Sequence, residues 1–397
     1  MKVLLLTVTA GYGHHATANA LAELLRQRDV ECKVIDIYEV ISRIVRTTIA
    51  QGYLLSSKYA PDLYRLFYTL TENRKNPQEL RYSRKNIVTL VNTIGAFRFE
   101  KITDRFNPDV IVCTHVLAAQ LVGEMKKRNL VNVPNIGIVT DYCLHPYWED
   151  VQNMDYLITP TALIAHTVVK RGIDESIIRP FGIPIHPKFN HKITREEACA
   201  QLGLREDKPI ILVMSGSMGY GNPKKIVEQI EQTGIGFQIL TVCGNNEKAY
   251  KKLISYQPSP ESGCTLHTMG FVNHVEVLMS AADCLVTKPG GLTVSEALAK
   301  GLPMILINPI PGQEERNTEF LVNNGLASLI TKTYPLDDAL YHLFHDPVRL
   351  KTIHQMIEAI GHPDATERLA DFLLSLKPDE IAMQPEEFGA ECDILPG

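Results

Sequence analysis

The sequence predicts an α/β protein of two doubly wound, Rossmann-like domains facing each other across a cleft. Three observations carry this prediction. A chain of 397 residues is long for one ordinary hydrophobic core. Short apolar runs that end in glycine or polar turns alternate with helical spacing, the grammar of parallel sheets built from strand–turn–helix units. After a proline-broken stretch at Gly182 to Pro187 the same grammar starts again without repeating its sequence. Residues 1–183 and 184–364 are therefore the two expected domains. Residues 365–376 read as a last amphipathic helix, and 377–397 as a loosely ordered acidic tail.

Lys2 to Thr9 opens the first domain as an apolar strand. Ala10 to Asn19 then turns through Gly11, Gly13, His14 and His15 into a helix that runs to Arg28, and Cys32 to Ile37 is the second strand. Gly11, Gly13 and Ala16, with Asp36 further on, also fit a dinucleotide fingerprint, which would suit an NAD oxidoreductase. The two histidines stand against it, being bulky where a pyrophosphate needs close backbone approach. From Ile41 to Lys101 no strand is signalled, and eleven Lys or Arg face four acids among tyrosines and leucines at helical spacing. Such a segment is either a solvated face with its aromatics packed on the sheet or a surface that lies on an anionic leaflet. Asp109 to Thr114 is the next strand, followed by a helix near Ala118 to Arg128. Asn135 to Val139 is another strand, ending in Thr140, Asp141, Tyr142, Cys143, Leu144, His145 and Trp148. The pairs Cys113/His115 and Cys143/His145 lack finger spacing, so no metal site is expected. Met154 to Thr159 and Ile177 to Phe181 close the sheet.

In the second domain Ile193 to Leu204 suggests a helix, and the strand Pro209 to Met214 runs into a glycine turn containing Ser215, Gly216, Ser217 and Gly219. Leu240 to Cys243 is a further strand. Phe271 and Val272 stand on the turn Thr268 to His274, where the ring either fills core or meets a flat ligand. The stretch from Ala282 to Asn317 organises the rest. It reads as a strand Cys284 to Thr287, the turn Pro289, Gly290 and Gly291, a helix Leu292 to Lys300, a strand Met304 to Ile307, and a polar loop Asn308 to Asn317. Adjacent glycines at a helix N-terminus let backbone N–H groups meet an anion, and diphosphate is the natural guest. Glu296, one turn in, either closes a capping box with Thr293 or accepts from ribose hydroxyls. Gln313, Glu314 and Asn317, on a loop stiffened by Pro309 and Pro311, suit a hydroxyl-rich ligand.

Composition sets bounds. The chain is 45% hydrophobic and 21% charged, as soluble globular proteins are. It has no apolar run near the roughly 18 residues of a membrane span. The apolar start flows into a glycine turn without a cleavage pattern, so it reads as a strand rather than a signal peptide. Eight scattered cysteines suggest reduced thiols and a cytoplasmic setting. A net charge of -5 argues against nucleic-acid binding.

With these motifs in this order, the chain resembles the GT-B glycosyltransferases of the diacylglycerol glucosyltransferase and monogalactosyldiacylglycerol synthase branch, which is family 28-like. The lipid-II-forming N-acetylglucosaminyltransferase is a more distant relative. The resemblance rests on GGLTVSEALAKG followed by PIPGQEERN, on Thr140, Asp141, His145 and Trp148, and on the glycine turn with His14. It departs where His15 stands beside His14 in place of the family's Arg or Asn, which leaves the assignment between the two open.

What the resemblance implies is a UDP-sugar site made by Ser215, Gly216, Ser217, Gly219, Phe271, Val272, Pro289, Gly290, Gly291, Thr293, Glu296, Gln313, Glu314 and Asn317. Gly11, Gly13, His15, His145 and Trp148 would face the acceptor, with His14 or Asp141 as base or orienting group. The implied activity is transfer of a hexose, glucose favoured, from the UDP-sugar to the hydroxyl of diacylglycerol with inversion, without metal or cofactor. The segment 41–101 would rest on the inner face of the cell membrane. Galactose or N-acetylglucosamine transfer, a UDP-sugar epimerase and a non-catalytic UDP-sugar sensor are the alternatives.

Overall fold

The computed structural model describes residues 1–9, 12–40, 98–151, 153–214 and 222–376. They form two six-stranded sheets, each parallel throughout. The first holds β1 (Lys2–Thr7), β2 (Glu31–Asp36), β3 (Val110–Cys113), β4 (Asn135–Ile138), β5 (Tyr156–Ile158) and β6 (Ile178–Arg179) in the order β2-β1-β3-β4-β5-β6. The second holds β7 (Ile210–Met214), β8 (Gln238–Val242), β9 (Thr265–Met269), β10 (Cys284–Thr287), β11 (Met304–Leu306) and β12 (Ala327–Leu329) in the order β12-β11-β10-β7-β8-β9. Central strands such as β3, β4 and β10 are buried along their whole length, which is why they read as unbroken apolar runs.

Two strands escape prediction, and both lie at sheet edges. β9 alternates exposed and half-buried positions and β12 is three residues long, so neither carries a continuous apolar signal. A third difference bears on function. The expected polar loop Asn308 to Asn317 stops at Gly312, and Gln313–Asn323 is a helix. Gly312 sits at φ 91°, and its N–H donates to Glu315 in the first turn. A backbone geometry open to glycine and two early acids start the helix there. Gln313 and Asn317 consequently share one helix face.

Hydrophobic clusters cover both faces of the first sheet and fill the second lobe. The last described helix, Ala365–Ser375, lies against the helix Tyr12–Gln27 and adds Leu369, Ala370 and Leu373 to the core cluster that holds Val3, Leu5 and Ile136 of the first sheet. The connection between the lobes is anchored by Ile183, Ile185 and Phe189 in the second core. Among the described residues no helix is long and apolar enough to cross a membrane. The basic aromatic segment lies outside the described residues from 41 to 97, as does the acidic tail.

Candidate active site

Each sheet has one point where successive connections leave in opposite directions, and there the loops part to leave a crevice at the strands' carboxyl ends. In the first sheet it lies between β1 and β3, in the second between β7 and β10. The histidine turn follows β1, and Lys288 to Gly290 follows β10. Met214, the last residue of β7, is in register with Thr287 of β10. Topology thus delivers the start of the His14 helix and the Lys288 to Gly290 turn to corresponding places.

His14 lies in the first turn of the helix Tyr12–Gln27 and is half-buried. Its Nδ1 stands 2.8 Å from the Thr114 carbonyl and 3.0 Å from Thr140 Oγ1. A carbonyl can only accept, so Nδ1 carries the proton and Nε2 keeps its lone pair. Burial lowers the pKa of His14 from its usual value, which favours the neutral imidazole. His115, at the end of β3, packs edge-on against it with ring centroids 4.7 Å apart, and its own Nδ1 accepts from Leu117 N–H. The orienting partner of His14 is therefore a backbone carbonyl at the switch point, where an Asp141 carboxylate was the expected alternative.

Asp141 instead joins the lobes. It accepts from Asn317 Nδ2 at 2.9 Å and Gln313 Nε2 at 3.1 Å, so both of its oxygens are engaged, and burial pushes its carboxyl up to about 6. Asn317 is fully buried; its Nδ2 also donates to the Pro289 carbonyl at 2.9 Å and its Oδ1 accepts from Tyr142 N–H at 2.8 Å. Every polar atom of that amide, expected among the donor-binding groups, is used here in holding the lobes together. Tyr142, absent from the predicted site, inserts into the second core and hydrogen-bonds Ser295 through its hydroxyl at 2.9 Å. A cavity of about 630 Å³ opens in the seam beside Cys143, with Thr167 and Arg171 on one wall and Arg316 and Phe320 on the other.

Gly290 and Gly291 have different surroundings. A Cβ at Gly291 would lie 2.0 Å from the Thr140 carbonyl oxygen, so this position admits only glycine while the lobes touch. A Cβ at Gly290 would meet nothing within 4 Å. The helix starts at Gly291 with Gly290 as its N-cap and no side-chain cap bond. The Thr293–Glu296 capping box, one of the two alternatives for Glu296, is thus not formed, because Thr293 already lies inside the first turn. A Cβ at Gly13 would sit 3.9 Å from Leu292, so the histidine turn faces this same helix start.

Glu296 follows on the same helix, and burial together with Glu276 raises its carboxyl to about 8 against the pull of Lys188. Glu314 accepts from Ile310 N–H at 2.7 Å, and burial raises its pKa while Lys288 opposes that shift. Lys288, only 8% exposed, is a buried cation next to the glycine turn that sequence reasoning passed over; its place directly after β10 was the available signal. Phe271 is 63% exposed, which removes the core alternative, while Val272 packs on the second core.

Other expected residues lie apart. Trp148 is 4% exposed in the first core, against the face of Gly137. From sequence it is expected at the acceptor. His145 caps a short turn by accepting from Tyr147 N–H. His15 Nδ1 is buried without a hydrogen-bond partner among the described residues. Asp36 binds Thr9 and Tyr38 N–H groups, which occupies the carboxylate that an NAD ribose would need. Gly11, Ser215, Gly216, Ser217 and Gly219 lie outside the described residues.

Two family profiles match this chain. Residues 14–185 match monogalactosyldiacylglycerol (MGDG) synthase, and residues 210–369 match the glycosyltransferase family 28 C-terminal domain. The chain belongs to the GT-B diacylglycerol glycosyltransferase family. It is 29% identical over 362 residues to a processive diacylglycerol beta-glucosyltransferase of Bacillus pumilus, covering 90% of this chain and 91% of that relative. MurG of Acinetobacter baumannii superposes with a TM-score of 0.60 at 15% identity, over 94% of this chain and 99% of that one. A UDP-GlcNAc 2-epimerase of Neisseria meningitidis does so at 0.55 and 15%, over 95% and 100%. These two structures establish the fold alone.

Proposed function

We propose that this glycosyltransferase moves a hexose, glucose first among them, from a UDP-sugar to the hydroxyl of diacylglycerol with inversion at the anomeric carbon. One observation carries the reading. The Thr114 carbonyl fixes the His14 proton on Nδ1, in a turn that faces the N-terminus of the helix Gly291–Ala299. In the reaction the acceptor oxygen attacks the anomeric carbon as its bond to the diphosphate breaks. His14 Nε2 takes the hydroxyl proton, and the departing diphosphate carries its charge toward Gly290 and the helix start. Glu296 would accept from the ribose hydroxyls and Phe271 would lie against the uracil. Metal independence, the glucose preference and contact of the basic segment with an anionic leaflet on the cytoplasmic side belong to the same proposal.

The reading is tested with diacylglycerol vesicles and labelled UDP-glucose, UDP-galactose or UDP-N-acetylglucosamine, with and without a chelator. Label in a neutral β-linked glycolipid, greatest from UDP-glucose and unaffected by the chelator, is the expected outcome. His14→Ala should reduce transfer by about 10²-fold or more, as removal of a general base does. Rebinding of the product as acceptor would add further sugars. No lipid label from any donor, or an α linkage, would count against the proposal.

A further inference from the structure

The connection between the lobes carries a lysine that reaches the donor side. Lys188 sits in the one-turn helix Pro187–Phe189, held in place because its N–H donates to His186 Nδ1 and because Phe189 is buried in the second core. Its Nζ lies 2.5 Å from the Asn273 carbonyl, on the loop that carries Phe271 and Val272. The same Nζ stands 2.8 Å from Glu276 Oε2 in the helix Val275–Ala281. Glu296 is within electrostatic reach of both members of that pair. One linker side chain therefore touches the loop expected against the base, and neighbours the carboxyl expected at the ribose. On the same turn His186 Nε2 stands 3.3 Å from Glu23, in the helix that begins with the His14 turn.

We propose that Lys188 is a positioning residue for the nucleoside end of the donor, holding the Asn273 loop and Glu276 in place around Glu296 from the interdomain linker. The inference rests on the UDP-sugar reading above. A lysine ammonium has three donors on one nitrogen, so it can hold a carbonyl and a carboxylate together while its charge bears on Glu296. The charged groups facing Glu296 are Lys188 from the linker and Glu276 from the preceding helix, with Lys300 acting in turn on Glu276. Without the ammonium two acids face each other, and Glu296 holds its proton to a higher pH. Converting Glu296 to the ribose-accepting carboxylate on donor binding then costs more at neutral pH than in the wild type.

The test measures UDP affinity by calorimetry, and donor KM and kcat from pH 6 to about 9, in wild type, Lys188→Met and Lys188→Arg. Loss of a charge-assisted contact network predicts about a tenfold rise in UDP Kd and donor KM for Lys188→Met, with kcat within about twofold. The acid limb of the KM profile should move to higher pH. Lys188→Arg, which keeps the charge, should recover most of the affinity. Asn190→Ala removes another tie of the linker, Asn190 Nδ2 to Glu367 Oε1 at 3.3 Å, and serves as the control for general loosening. An unchanged KM and profile in Lys188→Met, or an equal loss in Asn190→Ala, would overturn the assignment. Wild-type protein that does not bind UDP would overturn the donor reading and this inference together, a result distinct from normal UDP binding with an indifferent Lys188.

Discussion

Glu296 shows how a single residue is held at odds with its surroundings. Its carboxyl is raised to about 8 from an ordinary 4.5, so the folded chain binds that proton more tightly than the unfolded chain. Stability contributed by this group is present below the unfolded value and lost as pH rises toward the folded one. Glu296→Gln, which cannot ionise, should therefore be more stable than wild type near pH 9, by on the order of a few kcal/mol. Near pH 5 the two should melt together. The same variant should bind UDP more weakly if the carboxylate accepts from ribose. Thermal scans at both pH values check the first part; equal melting near pH 9 would show that the site does not hold a reluctant carboxylate. Donor binding near neutral pH should also release a proton, visible as a calorimetric heat that depends on the buffer's ionisation enthalpy.

Among elements, the helix Gly291–Ala299 carries two requirements on adjacent residues. Gly290 leaves open space at the helix start, where unpaired N–H groups and the helix dipole favour an anion. Gly291 lets the Thr140 backbone close against that start. The substitutions should separate these roles. Gly291→Ala forces the lobes apart, so turnover should fall by about 10²-fold, since small misplacements of reacting groups are that costly, while UDP binding persists. Gly290→Ala leaves the seam intact and should act first on UDP affinity. Parallel UDP titrations and transfer assays distinguish the two, and an identical loss of both quantities in the two variants would refute the division. The helix Gln313–Asn323 gives the matching lesson from the other lobe. Its start at Gly312 turns two residues, expected on a loop, into an i, i+4 pair aimed at one aspartate.

Over the whole molecule, closure depends on a small polar knot beside a buried aromatic. Asn317 joins Asp141, Tyr142 and Pro289, and Tyr142 enters the opposite core. Asn317→Ala would leave three buried polar groups without this partner, which should cost about 3 kcal/mol. The variant should melt earlier and have a larger radius of gyration by solution scattering. Gln313→Ala removes a contact at the half-buried rim and should cost less than about 1 kcal/mol. If both variants kept the wild-type radius and Tm, the knot would not be what closes the cleft.

The alternation of apolar runs with glycine turns was enough to read two parallel sheets, because central strands buried on both faces have to be continuously apolar. It was also enough to find the histidine and glycine turns, since open sheets of this kind form crevices where connections diverge. Edge strands β9 and β12 escaped because half-exposed backbone imposes no such pattern. The division of labour within the site was decided in three dimensions. Whether Asp141, Asn317 or Trp148 serves a ligand or the protein depends on which atoms already have partners, and those partners lie far away in the chain. Asp141 and Asn317 are 176 residues apart, and only the packing of one lobe on the other brings their side chains within hydrogen-bonding distance.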